Sequence, residues 1–328
     1  MLRRLSALTA AAAVLLSGCS AVESSSGGDE VAWSYVSGDG ETYTAPEVPT
    51  RIIADAYAAK TLMEFGIEPV GIWASNPIGE DVGLKGVDFS GMEILGEEWG
   101  KIDVAAAAEL QPDLIVSDWW PVEEAYGGFE EGVEEESRKL ADLAPVVGSS
   151  QGDSIVDLIE GYAALAESLG ADPGQIADVR AEFEAAVADF EAATAEKPGL
   201  TAIAISPWDG DYAVAVPEYA PELLDFQRWG LDVVNPDTPD PEFPYWETMS
   251  MENADKYQVD LIMFDDRNHP GNEETLAEAP ISSSITAYAA GQTTTWPAYW
   301  LHTYGDYTAE LTRLAEVIRG SDENLVQE

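Results

Sequence analysis

The chain of 328 residues holds one cysteine, Cys19, and two histidines, His269 and His302. One thiol builds no disulfide framework, and two imidazoles do not supply a multi-histidine zinc or manganese site. Basic residues are also scarce: 15 Lys and Arg stand against 62 Asp and Glu, for a formal charge of −47 and a pI near 4.1. No basic footprint remains for nucleic acid or for an anionic membrane surface. Neither a phosphate-cradling Gly-x-x-x-x-Gly-Lys loop nor a His-Glu-x-x-His motif occurs. Among 62 carboxylates, pairs at any sequence spacing arise by chance, so they do not argue for a glycosidase. A secreted hydrolase is a distant alternative, as is a sensor or adhesin, and the chain is expected not to be an enzyme. What is present is a core: 46% of residues are apolar and 9% aromatic, which places the acid on the surface of a folded protein, with two domains the natural expectation.

The first residues set the address. Arg3 and Arg4 precede a mostly apolar run, Leu5 to Ser17, too short to span a bilayer and of export-signal type. It ends in Leu16-Ser-Gly-Cys19, which resembles the lipobox of bacterial lipoproteins. That resemblance implies a signal peptide over 1–18 and a diacylated (palmitate-type) Cys19 as the first mature residue, an attachment firm enough to hold a protein at a membrane. Residues 19–43 are expected as a flexible tether, polar and rich in Ser and Gly at the start. The folded part is then expected at the extracellular face of the cell membrane, touching it only through the lipid.

From Thr44 onward short apolar runs alternate with helical patterns, the signature of α/β layers. Arg51–Ala54 and Pro69–Trp73 read as strands, Ala58–Phe65, Asp103–Leu110 and Ser154–Leu169 as helices, and Gln175–Ala195 as the longest helix. The run Gln111-Pro-Asp-Leu-Ile-Val-Ser-Asp118 recurs as Gln258-Val-Asp-Leu-Ile-Met-Phe-Asp265, which suggests two similar lobes. The lobes are expected over 44–172 and 198–328, with an interlobe helix over 173–197.

Five segments carry a family resemblance: Pro49-Thr-Arg-Ile-Ile53, Leu62-Met-Glu-Phe-Gly-Ile-Glu-Pro-Val-Gly71, Gly100-Lys-Ile-Asp103 with Leu110-Gln-Pro-Asp-Leu-Ile-Val116, Met249-Ser-Met-Glu-Asn-Ala-Asp-Lys-Tyr257, and Asp265-Asp-Arg267. In this order the chain resembles the substrate-binding lipoproteins of bacterial ABC importers for ferric siderophores, haem and cobalamin, in their Gram-positive, actinobacterial form. The resemblance implies a class III periplasmic-binding-protein fold: two Rossmann-like lobes bridged by one long rigid helix, with the ligand cleft between them. It implies capture of a ferric siderophore by a monomer, with no permanent cofactor, and delivery to a permease whose ATPases are cytoplasmic. It also implies a permease-docking glutamate on each lobe. Glu252 occupies the second-lobe position, while the first-lobe counterpart is Ala105, with Glu97, Glu98 or Glu109 as substitutes.

Ligand contacts in open α/β sheets gather at the carboxyl ends of strands. That rule selects Tyr57, Trp73 and Trp119 in the first lobe, and Trp208, Tyr212, Tyr245 with Trp246, Arg267, Trp296 and Trp300 in the second. Rigid rings offer contact area and a π-face to a greasy chelate, and Arg267 can donate to its oxygens or pair internally with Asp265 or Asp266. Trp33, Trp99 and Trp229 are expected as packing residues, and His269 and His302 as surface or loop residues. An aromatic cleft with few cations favours a ferric hydroxamate over an anionic catecholate or citrate, with haem and cobalamin the alternatives. No direct metal ligand is expected.

Overall fold

The computed structural model describes residues 32–326, so the export signal and Cys19 lie outside the described residues. The first described element is a hairpin, β1 (Trp33–Val36) and β2 (Thr42–Ala45), paired antiparallel. It is fastened to the first lobe: the Trp33 indole donates to Ser168 Oγ at 2.9 Å and the Tyr35 hydroxyl to the Gly161 carbonyl at 3.1 Å. Residues 33–43 are therefore a packed part of the lobe and not the end of a tether, because alternate side chains of β1 are buried.

The first lobe is built from β3 (Ile52–Asp55), α1 (Ala56–Glu64), β4 (Gly71–Ala74), β5 (Glu93–Glu97), α2 (Val104–Glu109) and β6 (Leu114–Val116). The pair β7 (Trp119–Trp120) and β8 (Ala125–Tyr126), the short helix α3 (Glu135–Arg138), β9 (Val146–Val147) and α4 (Ile155–Ser168) complete it. Its five-stranded sheet runs β5-β4-β3-β6-β9 and is wholly parallel. Parallel strands covered on both faces read as continuous apolar runs, and Leu114, Ile115 and Val116 are all fully buried. Asp55 caps α1 by accepting the Tyr57 N–H at 2.9 Å, which fixes a strand-to-helix turn at the sheet's carboxyl edge.

The connecting helix α5 (Pro173–Glu196) starts with proline at its first position and an Asp172 cap. Its Ile176, Phe183, Phe190 and Ala193 are buried. At 24 residues it is roughly 36 Å long.

The second lobe contains β10 (Thr201–Trp208), β11 (Asp211–Ala215), α6 (Pro221–Arg228), β12 (Asp232–Val233), β13 (Trp246–Ser250), β14 (Leu261–Asp265), α7 (Gly271–Glu278), the short α8 (Thr286–Ala289), β15 (Thr293–Trp296) and α9 (Tyr304–Gly320). Its sheet runs β13-β11-β10-β14-β15, with β12 beside the start of β10. The repeated sequence falls on β6 and β14, each parallel to a strand on both sides.

Polar bonds lock the lobes together. Asp225 in α6 accepts from Ser154 Oγ at 2.7 Å and from the first N–H of α4 at 2.9 Å. Glu64 in α1 accepts the Tyr304 and Gly305 N–H groups at 2.9 and 2.8 Å, so a first-lobe carboxylate caps α9. Lys60 pairs with Asp306, and Thr61 donates to the His302 carbonyl at 2.8 Å.

Candidate functional site

Between the lobes lies a cleft of about 460 Å³. Trp99, Trp120, Glu123, Glu130 and Glu131 form its first-lobe wall, and Phe243, Tyr245, Trp246, Arg267 and Tyr299 its second-lobe wall. A deeper recess of about 300 Å³ shares Trp99, Trp120, Glu130, Arg267 and Tyr299 and adds Asp55, Tyr57, Asp118, Trp300 and His302.

The arginine is held by its neighbour. Nε and Nη2 of Arg267 donate to the buried Asp265 carboxylate at 3.0 and 2.6 Å, and the guanidinium lies 5.0 Å from the centre of the Tyr299 ring. The internal pairing expected for this residue is formed, with Asp265 as its partner. The ion pair engages two of the five N–H groups and leaves three outside it.

Tyr245 bridges the two walls, its hydroxyl donating across the lobes to Glu123 at 2.9 Å. Its ring meets those of Phe243 and Tyr299 at 5.0 and 6.2 Å. Tyr299 has a left-handed φ of 61°, uncommon for a bulky residue and frequent where a side chain is aimed at a ligand. On the opposite wall the Trp99 indole donates to Glu130 Oε1 at 2.8 Å, while Glu130 Oε2 is buried and has no partner among the described residues.

The recess is ionisable. His302, 2% exposed, places Nε2 at 2.6 Å from Asp118 and stacks on Tyr57 at 4.8 Å. Burial opposes the imidazolium, but the Asp118 charge and hydrogen bond prevail and raise its pKa. Burial likewise works against the Asp118 carboxylate, yet His302 together with Tyr162 and Gln151 holds it below the ordinary range. Burial and the Asp118 charge push Asp55 up to about 7. Under the floor, burial raises Glu222 to about 7 as well, although the Tyr299 N–H partly opposes this at 2.9 Å. Asp266 also reaches about 7 through burial, with the Trp300 indole bonding to it at 2.7 Å.

The strand-end residues divide. Tyr57, Tyr245, Trp246, Arg267 and Trp300 all line the cleft or its recess. Trp73 does not: it is buried and packs edge-on to Phe129 at 6.3 Å, because every β4 residue is covered on both faces. Trp296 is fully buried behind Trp246, at 6.5 Å between rings. Tyr212, 1% exposed, is core of the second lobe, and Trp208, 42% exposed, sits where β10 turns into β11. That turn is an antiparallel hairpin, so the carboxyl end of β10 does not open onto the cleft. Trp119 is displaced by its neighbour: successive strand side chains face opposite ways, and Trp119 packs on Tyr126 at 5.1 Å while Trp120 enters the cleft.

Besides Trp120, the rings of Trp99, Phe243, Tyr299 and His302 line the cleft or its recess without a signal at a strand end. Trp99, expected as a packing residue, is 50% exposed and stands in the wall. Tyr299, Phe243 and His302 lie in loops that only the fold brings to the cleft. Trp33 and Trp229 are packing residues, Trp229 against Phe183 and Tyr307, and His269 pairs with Glu273 at 3.0 Å near the surface. Gly148-Ser-Ser-Gln-Gly152 spells a Gly-x-Ser-x-Gly pattern. The segment does not run directly into a helix, α4 beginning only at Ile155, and the Nε2 of His302 faces Asp118 and Gln151, so no nucleophile elbow is formed.

A second groove, about 620 Å³, belongs to the second lobe alone and is lined by Asp209, Met251, Glu252, Glu278 and Ile281 among others, with no aromatic ring. Glu252 is exposed at its rim, and Ala105 lies in α2 of the other lobe.

Residues 94–300 match the family model described as "Periplasmic binding protein". The chain belongs to this family. Its members are binding proteins, which fits a cleft between lobes and an extracytoplasmic setting. No curated protein matches significantly. Among solved structures the fold is similar to DesE, a ferric-siderophore receptor protein from Streptomyces coelicolor, with 28% identity, a TM-score of 0.78, and 89% of this chain and 99% of that one covered. It is also similar to the siderophore periplasmic binding protein of the fuscachelin gene cluster of Thermobifida fusca (24%, 0.62; 83% and 97% covered). FhuD2 from Staphylococcus aureus with bound ferrioxamine B is a more distant likeness (17%, 0.58; 82% and 98% covered).

Proposed function

We propose that this protein captures an iron(III)-siderophore complex, of hydroxamate type, in the interlobe cleft and hands it to an ABC permease driven by cytoplasmic ATPases. The observation that carries the reading is the cleft wall itself: six aromatic rings around one arginine whose guanidinium is oriented by Asp265 with N–H groups to spare. Rings supply contact area at low entropic cost, and the arginine supplies charge-assisted hydrogen bonds to hydroxamate oxygens. Among the described residues no three His, Cys, Asp or Glu side chains are grouped as metal ligands, so the iron is expected to arrive already chelated. The lobe-to-lobe bonds of Asp225, Glu64 and Lys60 favour a preformed site with little closure. The 28% identity to DesE over nearly all of that receptor supports the same cargo class. The protein is read as a monomer anchored outside the cell by the lipid on Cys19, with Glu252 as one permease contact.

The test is a titration of intrinsic tryptophan emission with ferric trihydroxamates, haem and cobalamin. Ferric trihydroxamates are expected to quench with sub-micromolar affinity, and Arg267→Ala to weaken binding by about 1–3 kcal/mol. Quenching by haem or cobalamin alone would reassign the cargo.

A further inference from the structure

The two walls of the cleft carry opposite charge. The second-lobe wall presents Arg267, and the first-lobe wall presents Glu123, Glu130 and Glu131. Asp55, Asp81 and Asp118 stand in the recess, where the one further basic residue among the described lining is His302, itself bonded to Asp118. Glu123 Oε1 is used by Tyr245. Glu130 is different, because Trp99 fixes one of its carboxylate oxygens and the other is buried without a donor among the described residues. A buried carboxylate oxygen lacking a donor is costly unless something supplies one. The surrounding rings, Trp99 and Trp120, are also the best faces for a cation.

We propose that the cleft is built for a ferric complex carrying a protonated amine: the ammonium sits against Glu130 and its neighbouring rings, and the chelate oxygens face Arg267. This rests on the siderophore reading and sharpens it from a ligand family to a charge class. A neutral complex lacks the donor that Glu130 calls for, and a polyanionic one meets the Glu123, Glu130 and Glu131 carboxylates of the wall. The same field draws a cationic complex toward the cleft, so its association rate falls with ionic strength.

Ferrioxamine B, a linear trihydroxamate complex with a free primary ammonium, and its N-acetylated derivative differ only at that amine. Affinities of both are measured by tryptophan quenching for the native protein and for Glu130→Gln, with thermal melts confirming that the variant is folded. The native protein is expected to bind the ammonium form about tenfold more tightly, a difference on the scale of one charged hydrogen bond, and the ratio is expected to fall to near one in Glu130→Gln. Equal affinities in the native protein would overturn the ammonium subsite while leaving siderophore capture intact. Failure of both forms to bind, with a ferric catecholate or citrate binding instead, would overturn the hydroxamate reading and the proposal together.

Discussion

At the scale of single residues, position on a strand decides more than residue type. Trp119 and Trp120 are chemically identical neighbours, yet one braces Tyr126 and the other faces the cleft. Trp120→Ala is therefore expected to cost about 2 kcal/mol of cargo affinity, the range of a buried aromatic anchor. Trp119→Ala is expected to lower the melting temperature with affinity held within about twofold, since its losses are packing losses. Paired melts and quench titrations check this; a binding loss confined to Trp119→Ala would reverse the assignment. Strand ends were legible as places that border the cleft, and Tyr57, Arg267 and Trp300 do line it or its recess. Which of two adjacent tryptophans faces the ligand was not legible, because a one-residue shift in register exchanges the faces and short strands at a sheet's edge leave the register open. Tyr299 was hidden for another reason: a left-handed tyrosine in a loop leaves no periodic signal.

At the scale of elements, the seam between lobes is made from helix termini and buried acids. Elements with strong patterns, such as α4 and α5, were readable to within a few residues of their ends. The hairpin β10–β11 was not, and its direction reversal is what removes Trp208 and Tyr212 from the cleft. The seam also gives the protein a pH dependence. Asp55, at the junction of β3 and α1, and Glu222, in α6, have folded pKa values of about 7, above those of the unfolded chain. Between roughly pH 4 and 7 the folded state keeps protons that the unfolded chain has released, so this contribution is present at low pH and lost as pH rises through 7. The raised His302 acts in the same sense, and the lowered Asp118 matters only in acid. Melting temperature is thus expected to be higher at pH 5 than at pH 8. Glu222 alone accounts for on the order of 3 kcal/mol, and Glu222→Gln is expected to flatten the slope. A melting temperature that rises from pH 5 to 8 would contradict this account of the seam.

At the scale of the whole molecule, a strong negative charge stands beside a shortage of cations. Most of that charge is on outer faces, as in the exposed run Glu134 to Glu136, and there it keeps the protein hydrated. A smaller part lines the cleft, and that part bears on cargo. The two-lobed α/β architecture was legible because its helices and strands are separately periodic and its repeat falls on equivalent strands. The cleft was only partly legible, since it is assembled from segments far apart in sequence, Trp99 and Trp120 both preceding Tyr299 by more than 100 residues. The central claim is that an iron complex is held between those loops. Anomalous scattering at the iron edge from a crystal of the protein with ferrioxamine B tests it most directly. The account predicts one strong peak between the Trp99–Trp120 wall and the Arg267–Tyr299 wall; no peak there, or a peak in the groove beside Glu252, would contradict it.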